Sequence, residues 1–197
     1  RQRRRDRMAR TGGAFGLVYE RLSPGQSVLD LGIGTARAAV LFRKAGLRVS
    51  GLDLSQEMLD ASRTKGFDDL TLHDLTKPPY PYANESFDHV VCLGVLPFLG
   101  DLTPAFAETA RLLKPRGTFA FMTLDRAPDE TPGFVVGREH TGTDECVTMH
   151  RHSADQVSDY ADVAGLTVVR SLPFTAYKDP EKTQPMRARC YVAVRPA

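Results

Sequence analysis

The chain has 197 residues, 42% apolar and 25% charged, which suits one packed globular domain and excludes wholesale disorder. Its longest near-apolar run, 90–100, is eleven residues and contains Pro97, far short of the roughly 20 needed to cross a bilayer. The net charge of +2 is uneven: residues 1–10 carry six arginines and one aspartate, leaving 20 basic against 23 acidic side chains elsewhere. A basic tail on a mildly acidic body does not describe a nucleic-acid-binding domain, so neither membrane nor nucleic acid is the expected partner.

Residues 1–23 are expected to form a solvated basic tail and a leading helix, with 24–197 as a single domain. The Arg-rich start runs into Thr11-Gly12-Gly13 and not into an apolar stretch, so no secretory leader is expected there. Behind a Pro24-Gly25 turn, Gln26–Leu31 reads as a first strand, and Gly32-Ile-Gly-Thr35 opens a helical pattern through about Gly46. Arg48–Leu52 reads as a second strand. A helix follows it, with Ser55 as N-cap and Gly66 just past its end. Leu70–Leu72 is a short third strand, a Pro-rich loop occupies 77–82, and Phe87–Leu93 is a fourth strand apolar enough to be covered on both faces. A helix over Leu102–Leu113 stops at Lys114-Pro-Arg-Gly117, and Thr118–Leu124 is the fifth strand.

The end of the chain is different. Ser153 caps a helix reaching Ala164, and Leu166–Phe174 and Arg189–Arg195 follow with no helix between them, which predicts antiparallel pairing. The fold class expected is α/β: a doubly wound, Rossmann-like sheet of seven strands, mostly parallel, with an antiparallel last pair. The segment 126–152 is long for a plain connection and suggests a cap over a ligand. Within it, Phe134–Val136 and Cys146–Met149 suit a hairpin around 141–144. Cys92, Cys146 and Cys190 are odd in number and widely spaced, which favours a reducing, cytoplasmic setting over a disulfide scaffold.

The chemistry concentrates where the first strand turns into the first helix, in Asp30-Leu-Gly-Ile-Gly-Thr35. In doubly wound folds this crevice receives the ligand. Gly32 and Gly34 let the backbone approach it closely, and Asp53, ending the second strand, is placed to accept from ribose hydroxyls. A dinucleotide site asks for a third glycine where this chain has Arg37, and Asp30 would repel a pyrophosphate. A ligand with ammonium and sulfonium charges fits that carboxylate better, so S-adenosyl-L-methionine is favoured over NAD. Asp30 and Asp53 also suit turn caps, and Asp74 a plain loop acid.

Val28-Leu-Asp-Leu-Gly-Ile-Gly-Thr35 and Gly51-Leu-Asp-Leu-Ser55 with Met58-Leu59 resemble the class I S-adenosylmethionine-dependent methyltransferases of the methyltransferase type 11 kind. His73-Asp-Leu75, Phe87–Gly94 and Leu113–Phe119 match further landmarks in the same order, over about residues 24–124. The finer likeness is to small methyltransferases of the Williams–Beuren-region type. The resemblance implies that Asp30, Gly32, Gly34 and Thr35 line the methionine end of the cofactor, that Asp53 holds the ribose, and that Leu54 lies beside the adenine. It implies further that Asp74 accepts from the adenine amino group, Leu75 meets the ring, and the backbone at Cys92–Leu93 meets the cofactor's amino group. Ala36 replaces a third glycine of the family loop, and Leu96-Pro97-Phe98 stands where many relatives carry histidine.

Methyl transfer from a sulfonium mainly needs alignment and exclusion of water, and a base only for a hydroxyl or protonated amine. The candidates for base or acceptor contact are His140, His150 and His152, all in the 126–152 segment, while Tyr19 and Tyr177 are further possible lining residues. His150 and His152 lie on one side of a strand without a fixed metal-ligand spacing, so no metal is expected. The acceptor expected is a small molecule, methylated on oxygen or nitrogen, and oligomeric state is left open. A non-methylating relative such as a cyclase, an NAD-linked oxidoreductase and a protein that binds a partner through its Arg-rich tail are the alternatives.

Overall fold

The computed structural model describes residues 13–136, 146–178 and 185–197. Helix α1 occupies 13–18. The strands β1 (Ser27–Leu31), β2 (Arg48–Asp53), β3 (Leu70–Leu72), β4 (Phe87–Cys92) and β5 (Leu113–Asp125) lie parallel in the order β3-β2-β1-β4-β5. Strand order reverses between β1 and β4, which opens a crevice at their C-terminal ends. Helices α2 (Ala39–Lys44), α3 (Gln56–Arg63) and α4 (Thr103–Leu112) supply the crossovers.

Each helix boundary has a local cause. Ser55 Oγ accepts from Met58 N to cap α3, as expected. Helix α5 (Ala154–Val163) begins in a full capping box between Ser153 and Gln156. Helix α2 starts at Ala39, later than the pattern suggests, because Gly34 and Ala36 both take positive φ and hold 33–38 as turns.

Two differences in the sheet matter for the site. Strand β5 runs thirteen residues and begins at Leu113: the Lys114-Pro-Arg-Gly117 stretch is a bulged part of the strand, with Arg116 at φ 65°, and not a turn ahead of it. Among the described residues the sheet also has nine strands and not the seven expected. The extra two are the hairpin of the irregular segment, β6 (Gly133–Val136) antiparallel to β7 (Val147–His152); its turn, 137–145, lies outside the described residues.

The length of β5 explains where that hairpin goes. On one side, β9 (Pro185–Val194) runs antiparallel to β5 from Thr118 to Leu124, and β8 (Thr167–Lys178) pairs with β9, the expected antiparallel ending. On the other side β4 reaches only as far as Phe121. Leu124 and Asp125 therefore keep a free edge there, and Arg151 and His152 of β7 take it in parallel. The hairpin thus stands directly beyond the end of β4, at the crevice.

Burial follows these layers. Phe119 and Phe121 stack at 4.4 Å, Tyr191 stacks on Phe121 at 5.0 Å, and Phe106 of α4 meets both phenylalanines edge-on. The opposite face packs Val28, Val91, Ala120 and Val192 against Val18 and Phe42. With both faces covered, Val90, Val91 and Cys92 of β4 are all buried, as the apolar run of that strand predicts.

Candidate active site at the strand C-terminal ends

The crevice is built around the turn leaving β1. Gly32 has φ 74°, and a Cβ there would lie 2.1 Å from Val95 Cγ2, so only glycine fits. Gly34 N donates to Asp53 Oδ2 at 2.8 Å, and Ser55 N donates to Asp53 Oδ1 at 2.9 Å. Asp53 therefore clamps the glycine turn to the start of α3. Ser62 Oγ donates to the Gly34 carbonyl at 2.7 Å, and Lys65 Nζ donates to the Thr35 carbonyl. Sequence reasoning missed Ser62, in the last turn of α3, and Lys65, two residues past its end, because neither contact is visible before the helix packs on the glycine turn.

Asp30 is the unusual residue. It is 2% exposed, and no described residue donates a hydrogen bond to it. Burial, with Asp53 as a smaller cause, pushes its carboxyl up to about 7. A buried acid without a donor is costly in its charged form, so the site is poised to accept a cation. Beside it, Cys92 is fully buried, its thiol pushed up by burial and by Asp30. Leu93 is partly buried and packs in the cluster containing Phe134 and Met149 of the hairpin.

The remaining predicted residues are spread around the same end of the sheet. Leu54 is 69% exposed just after β2, an apolar side chain presented to solvent where a flat ring would cover it. Leu75 is buried and its carbonyl accepts from Tyr80 Oη at 3.0 Å. Asp74 Oδ1 accepts from Thr76 N at 2.9 Å and Thr76 Oγ1 at 2.7 Å, and these bonds hold its carboxyl below the usual range. That is the loop-acid geometry anticipated as its alternative; Oδ2 faces Lys77 Nζ at 3.4 Å.

Of the histidines, His140 lies outside the described residues. His150 and His152 do share a face of β7, and both come against Gly100. A Cβ on Gly100 would lie 3.0 Å from His150 Cε1, while His152 Nε2 donates to the Gly100 carbonyl at 3.4 Å. His152 is 3% exposed, with Nδ1 unpartnered among the described residues; burial lowers its pKa, which favours the neutral ring. Tyr19 is exposed on the short turn Tyr19–Arg21, away from this end, and the side chain of Tyr177 lies outside the described residues. Among the described residues no cluster of three His, Cys, Asp or Glu side chains could hold a metal. No described helix is long and apolar enough to span a membrane.

The methyltransferase domain family matches residues 29–121, from β1 through β5, which is the stretch that carries this turn and both acids. Over that stretch the chain is similar to the class I S-adenosylmethionine-dependent methyltransferases. It is 36% identical over 115 residues to methyltransferase GfsG of Streptomyces halstedii, covering 54% of this chain and 41% of that protein. It is 31% identical over 137 residues to a ubiquinone biosynthesis O-methyltransferase of Sodalis glossinidius, covering 68% of this chain and 51% of that one. The chain thus spans about half the length of these curated relatives. A crystal structure of a SAM-dependent methyltransferase from Methanosarcina mazei shares the fold at TM-score 0.77 and 14% identity, over 91% of this chain and 97% of that one.

The family's cofactor is S-adenosylmethionine, and the residues present fit it. The donorless carboxyl of Asp30 suits an ammonium, the Gly32 turn leaves no room for a side chain, and Leu54 offers apolar surface.

Proposed function

We propose that this chain is an S-adenosylmethionine-dependent methyltransferase of a small-molecule acceptor, transferring the methyl group to oxygen or nitrogen. The observation that carries the reading is Asp30: a buried carboxyl beneath a glycine turn, without a donor among the described residues, which calls for a positively charged ligand and disfavours a pyrophosphate. The cofactor supplies an already activated methyl on its sulfonium. The protein's share is placement. Asp30 accepts from the ammonium while Gly32, Gly34 and Thr35 line the methionine end. Asp53 accepts from the ribose hydroxyls while keeping the turn clamped, and Leu54 covers the adenine. Leu75 packs on the ring, Asp74 takes its amino group through Oδ2, and the backbone at Cys92–Leu93 completes the amino-acid pocket.

Residues 24–197 act as one domain in this reading, with 126–152 covering the acceptor. Support for the cover is the hairpin's seat on β5 beyond β4, where β6 and β7 exclude water from the reacting end. His150, at the rim beside Gly100, is the better placed of the two histidines of β7 to touch an acceptor or take its proton. His152 is sealed behind it and positions the Gly100 loop. Calorimetric titration tests the assignment: S-adenosylmethionine and S-adenosylhomocysteine should bind at one site and NAD should not. Binding of NAD with indifference to both adenosyl compounds would overturn it.

A further inference from the structure

At the other end of the same strands, a cavity of about 300 Å³ opens among the residues that precede β1, begin β4 and form the bulge of β5. Its lining includes Arg21, Lys114 and Arg116 against the single carboxylate of Asp88. That carboxylate is already engaged, accepting from Ser27 N at 2.8 Å, Ser27 Oγ at 2.7 Å and Lys114 Nζ at 3.0 Å. The side chains of Arg21 and Arg116 have no hydrogen-bond or ion-pair partner among the described residues. Two positive charges at the cavity are left uncompensated.

Two further features distinguish this place from an ordinary solvated surface. Gln26 is held in a fixed orientation: its Oε1 accepts from Ser23 N at 2.7 Å and from Nε2 of the buried His89 at 2.9 Å. His89 is fixed in turn by Thr118 Oγ1 at 2.6 Å from Nδ1. With Oε1 occupied, the Gln26 amide nitrogen is a positioned donor whose partner the described residues do not supply. Arg116, meanwhile, sits at φ 65°, in the left-handed region that glycine adopts freely and that a residue with a Cβ enters only under strain. A strained backbone carrying an unpaired guanidinium into a cavity is a reason to look for a ligand.

We propose that this cavity binds a small dianion of the phosphate class, with Arg21 and Arg116 gripping its oxygens and the Gln26 amide donating to it. Guanidinium geometry matches such an oxyanion, and two uncompensated positive charges match its charge. The cavity is too small, and the rest of the chain too acidic, for a nucleic-acid backbone. The site lies about four residues of β1 from Asp30, roughly 13 Å, and does not depend on what the crevice binds.

Thermal unfolding and calorimetry of the full chain test it, with inorganic phosphate and glycerol 3-phosphate compared against potassium chloride at equal ionic strength. Wild-type protein should show a saturable stabilisation by phosphate that chloride does not reproduce. Arg116→Gly should unfold at a higher temperature than wild type in chloride, because the strain is relieved, yet bind phosphate at least tenfold more weakly. Arg21→Gln should weaken phosphate by a similar factor without the gain in stability. Both variants should keep wild-type affinity for S-adenosylhomocysteine. Tighter binding of glycerol 3-phosphate than of phosphate marks a phosphorylated metabolite as the occupant, and equal binding marks free phosphate; either result supports the site. No stabilisation beyond that of chloride, or phosphate affinity unchanged in Arg116→Gly, overturns it.

Discussion

Asp30 and Asp88 sit at opposite ends of neighbouring strands, β1 and β4, and their surroundings drive them in opposite directions. Asp30 is walled in with no donor among the described residues, and burial, helped by Asp53, takes its carboxyl up to about 7. Asp88 meets a smaller burial penalty, which hydrogen bonds from Ser27 N and Oγ and the charge of Lys114 outweigh, and it falls to about 2. One end of the sheet thus holds an acid in search of a cation, and the other an acid already satisfied among surplus cations. The difference teaches that the same residue type serves as a ligand site or as a structural tie according to the donors around it.

The largest effect expected concerns the turn that shapes the upper end. Gly32→Ala puts a Cβ against Val95 in a left-handed backbone and should cost about 2–4 kcal/mol in chemical denaturation, with loss of cofactor binding. Asp53→Ala leaves the Gly34 and Ser55 amides without their acceptor and, in the proposed reading, the ribose hydroxyls as well. Calorimetry should show S-adenosylhomocysteine affinity lower by about 1–3 kcal/mol.

The two aspartates can then be set against each other by pH. Asp30 has a raised pKa, so its stabilising contribution is complete below about 4 and lost as pH climbs towards 7. Asp30→Asn should therefore gain stability relative to wild type over that window. Binding of S-adenosylhomocysteine to wild type, which needs the ionised acid, should weaken by up to about tenfold for each pH unit below 7 and lose that dependence in the variant. Asp88 has a lowered pKa, so its contribution is present above about 4 and lost as pH falls towards 2. The stability gap between wild type and Asp88→Asn should shrink over that lower window. Curves of the same slope for both variants would erase the contrast. The smallest effect is at a helix start: Ser55→Ala should cost about 1 kcal/mol of stability through the lost cap on α3.

Much of this was legible in the chain because it is local. The glycine turn, the acid ending β2 and the Ser55 and Ser153 caps each depend on a few consecutive residues, and the hydrophobic pattern alone marks β1, β2 and β4. The hairpin was partly legible: Phe134–Val136 and Cys146–Met149 read as its arms, but no local pattern shows β7 joining β5. That union depends on β5 outlasting β4, and so on the bulge that turns Lys114–Gly117 from a stop into part of a strand. The role of Asp74 was obscured for the opposite reason, since a bond to Thr76 two residues away competes with any ligand. The charge state of Asp30 and the cavity around Arg116 were out of reach, because each requires three strands to be brought together first.

The seam between β7 and β5 amounts to two residue pairs, Leu124 with Arg151 and Asp125 with His152, whereas β9 holds β5 along seven. So short a stitch is inexpensive to unpick and to resew, while the aromatic stack beneath stays shut. Amide protons of 147–152 should accordingly trade with deuterium well before those of 188–194, the hairpin lifting while the strand pair beneath it stays joined.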